Sequence, residues 1–260
     1  MSDDDEKLRL GGMALRNGLL VHGPTHWAAA IRDRQGEIGT ASGVKPRFKR
    51  FDDVPGARGV VRLAEAMVVI PLVKKALPQA QLPYEHAGVA TTAVAATAAS
   101  ALLRRRKSTG GELAAATLSI VPTLVALRSG DLAAYHGAEH KAIGEYENDG
   151  AEHTKEHDRC GSHLMTPLML SNLAGVALLK KASEQPSALA GSAVAVASMG
   201  IAVEVFSWTE RHADTAAAKA LKVPGYELQR VIGTREPTAA QLDVGRAALR
   251  TILEAEGAHA

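Results

Sequence analysis

The sequence is poor in aromatic residues and in cysteine, and both scarcities narrow the classes of protein to which it can belong. Phe, Trp and Tyr together make up 3% of the 260 residues, whereas small residues such as Ala and Gly are abundant. A core built from small side chains favours closely packed helices, and small residues are also typical of helix interfaces in membranes. The single cysteine, Cys160, excludes an intrachain disulfide. Its remaining roles are those of a small buried side chain, a metal ligand or a nucleophile.

Charge of one sign is not in excess either. The formal net charge is +2, and the chain has no basic stripe interleaved with aromatic residues, so we expect no nucleic acid as a partner. Residues 1–8 form an acidic tail that we expect to be disordered. The start of the sequence has no basic flank followed by an apolar run, as a signal peptide would. We therefore expect a cytoplasmic N-terminus.

Long hydrophobic runs are scarce, and the four that exist are marginal in length for crossing a membrane, which takes about 20 residues. They predict a mainly α fold, a helical bundle with about four apolar, membrane-embedded helices and membrane lipid as a partner. A soluble cytoplasmic bundle of buried, small-residue helices is the alternative. The basic connections at 104–107 and 180–181 would be cytoplasmic by the positive-inside rule, which conflicts with a cytoplasmic N-terminus. The uncharged runs are 87–103, 113–127, 164–179 and 185–203.

The rest of the chain divides by pattern. Residues 9–50, with recurring glycines and a turn at 33–36, predict a small N-terminal β unit with at least one hairpin. Residues 51–236 form the predicted helical, membrane-embedded domain, within which Pro224-Gly225 predicts a turn. Residues 237–260 predict a C-terminal amphipathic helix that starts at a capping box, Thr238-x-x-Gln241, and ends before Gly257. We expect this helix to serve as scaffold or as a contact in a homo-oligomer.

The segment 135–141, Tyr-His-Gly-Ala-Glu-His-Lys, carries three metal-competent side chains. Residues three and four apart share one face of a helix, so His136, Glu139 and His140 would point the same way. The order H-x-x-E-H is that of the inverted zincins, in which two imidazoles bind zinc and the carboxylate acts as general base on a water molecule. A third protein ligand must come from elsewhere in the chain. The alternative is a solvated helix start whose imidazoles bond neighbouring carboxylates.

A second cluster, residues 153–163, contains Cys160. Arg159 and His157 lie beside the cysteine in sequence and would stabilise a thiolate electrostatically, so Cys160 and His157 are candidate metal ligands. Arg159 is a fixed cation suited to stabilise a developing oxyanion. The alternative is a tight turn at Gly161 with Cys160 simply buried.

Glu204 follows directly after the last uncharged run. A carboxylate is costly to place near lipid and is a functional candidate there. Its distance from the H-x-x-E-H segment also resembles that of the third ligand of inverted zincins, which is a glutamate on another helix. We therefore expect Glu204 or Cys160 to complete the metal site. The alternative is that Glu204 reaches water at a helix end or pairs with Arg211.

Several separated motifs occur together in an order that resembles the YqhQ-like family. The resemblance implies a bacterial membrane protein of the kind described as a predicted metal-dependent enzyme, within an uncharacterised family. Two positions depart from the family pattern, because Met13 replaces a glutamine and Asn17 replaces a glutamate. The motifs are the segment 135–141 and His157-x-Arg159-Cys160-Gly161-Ser162, with Gly11-Gly12, Arg58-Gly59, Glu65-Ala66, Glu204-Val205, Pro224-Gly225, Leu228-Gln229 and Thr234-x-Glu236-Pro237.

Three functions follow from these patterns. The first is a membrane-associated hydrolase that uses a divalent metal, most simply zinc, with Glu139 as general base. The second is a non-catalytic membrane protein in which the His/Cys cluster is structural, for example with His136, His140, His157 and Cys160 closing a zinc site. The third is transport of ions or metals, which Glu204 alone suggests.

Overall fold

The computed structural model describes residues 7–48, 50, 54, 57–105, 108–128, 131–183 and 186–258. The predicted acidic tail lies for the most part outside these residues. The fold is mainly α, with 67% helix and a small N-terminal sheet, as the sequence predicts. The strands are β1 (Gly11–Leu15), β2 (Gly18–His22), β3 (His26–Arg32) and β4 (Ile38–Val44). The helices are α1 (Ala57–Ala76), α2 (Ala87–Arg105), α3 (Thr109–Arg128), α4 (Leu132–Glu147), α5 (Met165–Ala182), α6 (Ala188–Arg211), α7 (Ala216–Leu228) and α8 (Ala239–Glu256).

The chain forms two compact units, each assembled from separate segments. The first, which we call the sheet unit, comprises Met1–Gly43, Val73–Lys155 and Ile232–Ala260. The second, the helical unit, comprises Val44–Leu72 and Glu156–Val231.

In the sheet unit, the strands form an antiparallel sheet in the order β1-β2-β3-β4. The prediction of a β unit with a hairpin is therefore confirmed. The turn between β3 and β4 uses Gly36, whose φ of 92° suits glycine, and Asp33, whose carboxylate accepts two backbone N–H groups of that turn. α8 packs across β2 and β3, and α4 packs on β1 and α8. The core between them is built from aliphatic side chains such as Leu19, Ala28 and Ile252.

The ends of α8 follow their local signals. Thr238 and Gln241 form a reciprocal capping box at its start, and Gly257 ends it in the left-handed conformation. Both predictions are confirmed. Near the end, Glu256 accepts hydrogen bonds from the backbone N–H groups of Thr25 (2.8 Å) and His26 (2.7 Å), which ties α8 to the turn between β2 and β3.

Among the residues that the structure describes, four helices are long and apolar enough to cross a membrane: α2 and α3, which pack together in the sheet unit, and α5 and α6, which pack together in the helical unit. In each of these helices, no more than 18% of the apolar stretch is buried. Large side chains such as Val94, Leu178 and Leu189 are 72%, 69% and 81% exposed. Their outer surfaces are therefore apolar.

The predicted turn at Pro224-Gly225 is wrong, because both residues lie inside α7. A Cβ at Gly225 would lie 2.6 Å from Nδ1 of His163. The absence of a side chain at Gly225 therefore lets this buried imidazole pack against the helix. The ring in turn contacts the carbonyl of Lys222 at 3.0 Å. Packing against His163 thus outweighs the turn propensity of the dipeptide.

Candidate metal site

The H-x-x-E-H segment lies on α4, as predicted, in one of the most buried helices of the sheet unit. Glu139 is 5% exposed and His140 is 2% exposed, while His136 is half-buried. Burial of ionisable side chains at this level is uncommon unless they are paired or functional. The alternative interpretation, a solvated helix start, is therefore wrong.

Each imidazole of the pair is oriented by a backbone carbonyl. Nδ1 of His136 lies 2.8 Å from the carbonyl oxygen of Gly233, and Nδ1 of His140 lies 2.7 Å from that of Lys155. A carbonyl only accepts hydrogen bonds, so each Nδ1 is a donor, and in the neutral ring the lone pair then lies on Nε2. This is the arrangement in which metal-binding histidines are normally held.

The two rings also lie close to each other. Their centroids are 4.4 Å apart with an interplanar angle of 59°, and their ligand nitrogens come within 4.8 Å. Two nitrogens that bind one ion at Zn–N distances of about 2.0–2.1 Å lie at most about 4.2 Å apart. The two imidazoles are therefore near the separation that a shared zinc-like ion requires, and a small adjustment of the side chains would bring them to it.

Glu139 lies against the backbone of β1. A Cβ at Gly12 would lie 2.6 Å from both Cδ and Oε1 of Glu139. Only a glycine at this strand position leaves room for the carboxylate where it lies. Gly11-Gly12 is one of the motifs that carry the family resemblance, so the sequence marked this position as special. It did not reveal that Gly12 contacts Glu139.

Lys141 forms ion pairs with the two segments that carry the carbonyls of Gly233 and Lys155, which orient the imidazoles. Its ammonium pairs with Glu236 and, at 3.4 Å, with Glu152. The hydrogen bond to Glu236 is the main cause of the raised pKa of Lys141. Gly137 allows the segment of Glu236 to approach α4, because a Cβ there would collide with the carbonyl oxygen of Arg235. These supporting residues were not predicted from the sequence.

In the helical unit, Gln229 organises the segment that contains Cys160. The amide of Gln229 is fully buried, accepts from the backbone N–H of His157 (2.8 Å) and donates to the carbonyl of His157 (3.2 Å) and to Oγ of Ser162 (2.9 Å). Cys160 precedes a short 3₁₀ turn, and its Sγ accepts from the backbone N–H of Ser162. Gln229 therefore fixes the loop on both sides of the cysteine.

The chemistry of this loop differs from the prediction in one respect. Burial raises the pKa of the Cys160 thiol, and the hydrogen bonds from Ser162 do not offset it. The expectation that Arg159 and His157 would stabilise a thiolate is therefore wrong for the thiol by itself, because desolvation of the charged form dominates.

His157 is buried, which lowers its pKa and favours the neutral ring. Its Nδ1 accepts a hydrogen bond from the backbone N–H of Arg159 at 3.2 Å, so the proton resides on Nε2. A ring in this state presents a donor at Nε2 and has its acceptor engaged at Nδ1. This tautomer disfavours the closed set of four ligands that includes His157.

Glu204 on α6 forms a two-pronged ion pair with Arg58 on α1. Nε of Arg58 lies 2.9 Å from Oε1 and a terminal nitrogen lies 2.6 Å from Oε2. Glu204 thus has an ion-pair partner on α1, Arg58. Gly59 allows this approach, since a Cβ there would lie 2.6 Å from Cβ of Val203.

Asn17, which replaces a glutamate of the family pattern, has a structural role. Its amide donates to the carbonyls of Arg32 (3.0 Å) and Gln79 (3.2 Å) and accepts from the backbone N–H of Gln81 (2.9 Å). Met13, the other departure, lies in β1 and pairs with Leu20 of β2.

The structure thus brings together His136, Glu139 and His140 within the sheet unit. Within the helical unit it places His157, Arg159 and Cys160 in one loop, while Glu204 lies on α6. Coordination of an ion by Cys160 or Glu204 together with the two imidazoles stays a prediction, as does the role of Arg159.

Comparison with known proteins agrees with the resemblance seen in the motifs. Residues 130–255 match the model of a family described as "Protein of unknown function (DUF1385)". The matched segment includes α4, the loop of Cys160 and most of α8. No curated protein and no solved structure matches the chain.

Proposed function

We propose that this chain, whose residues 130–255 belong to the DUF1385 family, is a membrane-embedded hydrolase that uses a divalent metal, with zinc the best fit. One observation carries the proposal: both imidazoles of the H-x-x-E-H helix have Nδ1 bonded to a backbone carbonyl, which leaves Nε2 of each neutral ring as the nitrogen suited to bind an ion. Structural histidines in a core have no need of matched tautomers on one face.

The remaining residues take the roles that their chemistry allows. An ion held by His136 and His140 would supply Lewis acidity and lower the pKa of a water molecule. Glu139, one helical position before His140, would serve as the general base for a water molecule at this site. Arg159 stabilises the oxyanion that develops on the carbonyl of an amide or ester substrate.

Cys160 or Glu204 completes the ligand set. Cys160 is five residues after Lys155, whose carbonyl orients His140, and five residues reach at most about 18 Å. A thiolate with two imidazoles is a ligand set that zinc favours. Glu204 would have to exchange its ion pair with Arg58 for the metal, so we place Cys160 first.

Membrane embedding rests on the apolar outer surfaces of α2, α3, α5 and α6. The substrate class that suits such a site is a peptide or a lipid-linked amide or ester. We also propose that the N-terminus lies on the cytoplasmic side of the membrane.

Metal analysis of the purified full chain tests the proposal. We expect about one equivalent of zinc in wild type, none in the double variant His136→Ala with His140→Ala, and wild-type content in His212→Ala, which removes an exposed imidazole. Glu139→Gln should keep the metal and lose hydrolysis. Wild-type protein without metal, or a double variant that retains it, would refute the site.

Cobalt substitution distinguishes the third ligand. A thiolate ligand gives Co²⁺ an intense charge-transfer absorption in the near ultraviolet, which should vanish in Cys160→Ser and persist in Glu204→Gln. If Glu204 is the third ligand instead, the wild-type Co²⁺ protein shows no such band, and Glu204→Gln rather than Cys160→Ser lowers its Co²⁺ content.

A further inference from the structure

A half-open groove of about 820 Å³ lies within the sheet unit, and none of the predicted metal ligands lines it. Its walls come from the turn between β1 and β2, the turn between β3 and β4, the segment between α1 and α2, and the start of α4.

The groove has more positive than negative charge. Its cations are Arg16, Arg32, Arg34 and Lys74, and its carboxylates are Asp33 and Asp131. Both carboxylates have other partners: Asp33 accepts two backbone N–H groups of its own turn, and Asp131 pairs with Arg235 at 2.8 Å. Lys74 pairs with Glu85. The arginines therefore carry the surplus charge.

Two of these arginines have a buried donor without an acceptor. Nε of Arg16 and Nε of Arg32 are inaccessible to solvent and have no hydrogen-bond partner in the described part of the chain. The terminal nitrogens of Arg32 donate to the carbonyls of Gly36 and Ala240, which fix its guanidinium in place. A buried N–H that lacks an acceptor is costly, and here two such donors belong to one groove.

The geometry of an arginine fork suits the oxygens of a phosphate group. The groove also offers the neutral donors of Gln35 and Gln79, whose side chains lie on exposed segments. Its wall at 78–81 precedes by six residues the first apolar helix, α2. An anionic headgroup at a membrane surface would lie next to the start of that helix.

We propose that this groove binds a phosphate-bearing anion, which is either a lipid headgroup or a free phosphate, through the guanidinium groups of Arg16 and Arg32. The inference does not depend on the metal site, because it uses different residues and a different chemistry.

Calorimetric titration of the full chain in a neutral detergent tests the proposal with three probes. Inorganic phosphate represents the free anion, dihexanoyl phosphatidylglycerol represents an anionic headgroup, and dihexanoyl phosphatidylcholine is the zwitterionic control. Saturable binding of inorganic phosphate identifies a free phosphate ligand. Binding of phosphatidylglycerol alone identifies a lipid headgroup. Absence of binding by both anionic probes overturns the proposal.

The variant Arg16→Gln should weaken binding of the active probe about tenfold or more, as expected for a hydrogen bond to a charged group. Arg250→Gln, which removes an exposed arginine of α8, is the matched control and should leave affinity unchanged. Equal affinities of Arg16→Gln and Arg250→Gln would overturn the proposal. If Arg16→Gln does not fold, Arg16→Lys takes its place, because it keeps the charge and removes the guanidinium, and an affinity equal to that of Arg250→Gln is again contrary to the inference.

Discussion

Replacement of Gly12 with alanine should displace the carboxylate of Glu139. The added Cβ would lie 2.6 Å from Cδ and Oε1 of Glu139, whereas ordinary van der Waals contact begins at 3.4 Å. Glu139 is only 5% exposed, so its carboxylate cannot simply swing into water. The side chain or the strand must therefore shift.

Two effects of opposite sign set the magnitude. Alanine is favoured over glycine in a strand by about 0.5–1 kcal/mol because it loses less backbone entropy. Overpacking of a buried site costs about 1–3 kcal/mol. We expect Gly12→Ala to lower the free energy of unfolding, and we expect the same change to be stabilising once Glu139 has been shortened.

A double-mutant cycle with Glu139→Ala isolates the contact. Thermal or denaturant unfolding of the wild type, both single variants and the double variant should give a coupling of about 1–3 kcal/mol. Gly11→Ala is the matched control, because it lies in the same strand and a Cβ there has nothing within 4 Å. It should be neutral or stabilising and should show no coupling to Glu139.

Additive effects of Gly12→Ala and Glu139→Ala, within about 0.5 kcal/mol, would refute the close approach of the carboxylate to β1. Equal destabilisation by Gly11→Ala and Gly12→Ala would also refute it, since both glycines lie on β1 and only one contacts Glu139.

Three further predictions concern contacts outside α4. Arg58→Gln and Glu204→Gln should lower Tm to a similar extent, and the double variant no further, because each breaks the same two-pronged ion pair. Gln229→Ala should lower the free energy of unfolding by about 1–3 kcal/mol, because the buried backbone N–H and carbonyl of His157 lose these hydrogen bonds. Burial raises the pKa of Glu256, but the hydrogen bonds from the turn between β2 and β3 lower it by more than burial raises it. The net pKa is therefore below the ordinary 4.5. Its stabilisation is then fully present above pH 4.5 and is lost as pH falls through the lowered pKa, so Glu256→Gln should flatten this part of the stability profile.

Each of these changes has an exposed counterpart that should have little effect. The controls are Arg62→Gln on α1, Gln35→Ala in the turn between β3 and β4, and Glu254→Gln on α8. Additivity at Arg58 and Glu204, a Gln229 variant as stable as its control, or an acid profile unchanged by Glu256→Gln would contradict the respective contact.

Local signals in the sequence were reliable wherever the partners lie within a few residues. The capping box of Thr238 and Gln241 closes across three residues, and Gly257 ends α8 by its own backbone conformation. The face shared by His136 and His140 follows from helical spacing. These features need no information about the rest of the chain.

Signals of this local kind failed where a distant partner decided the conformation. Pro224-Gly225 reads as a turn, yet the chain stays helical because Gly225 packs on His163. The thiol of Cys160 has basic neighbours in sequence, yet burial by the fold raises its pKa. Desolvation depends on the whole packed unit and not on adjacent residues.

The sequence by itself determined the mainly helical class, the N-terminal β unit and the presence of two imidazoles and a carboxylate on one helix. Only the tertiary structure decided which nitrogens of those imidazoles face a backbone acceptor, because Nδ1 of each ring lies against the carbonyl of Gly233 or Lys155. It also decided that Glu139 lies against Gly12 and that Glu204 pairs with Arg58. Hydrogen bonds and close packing between residues far apart in the chain leave no periodic signal in the sequence, since their geometry exists only after the segments have folded together.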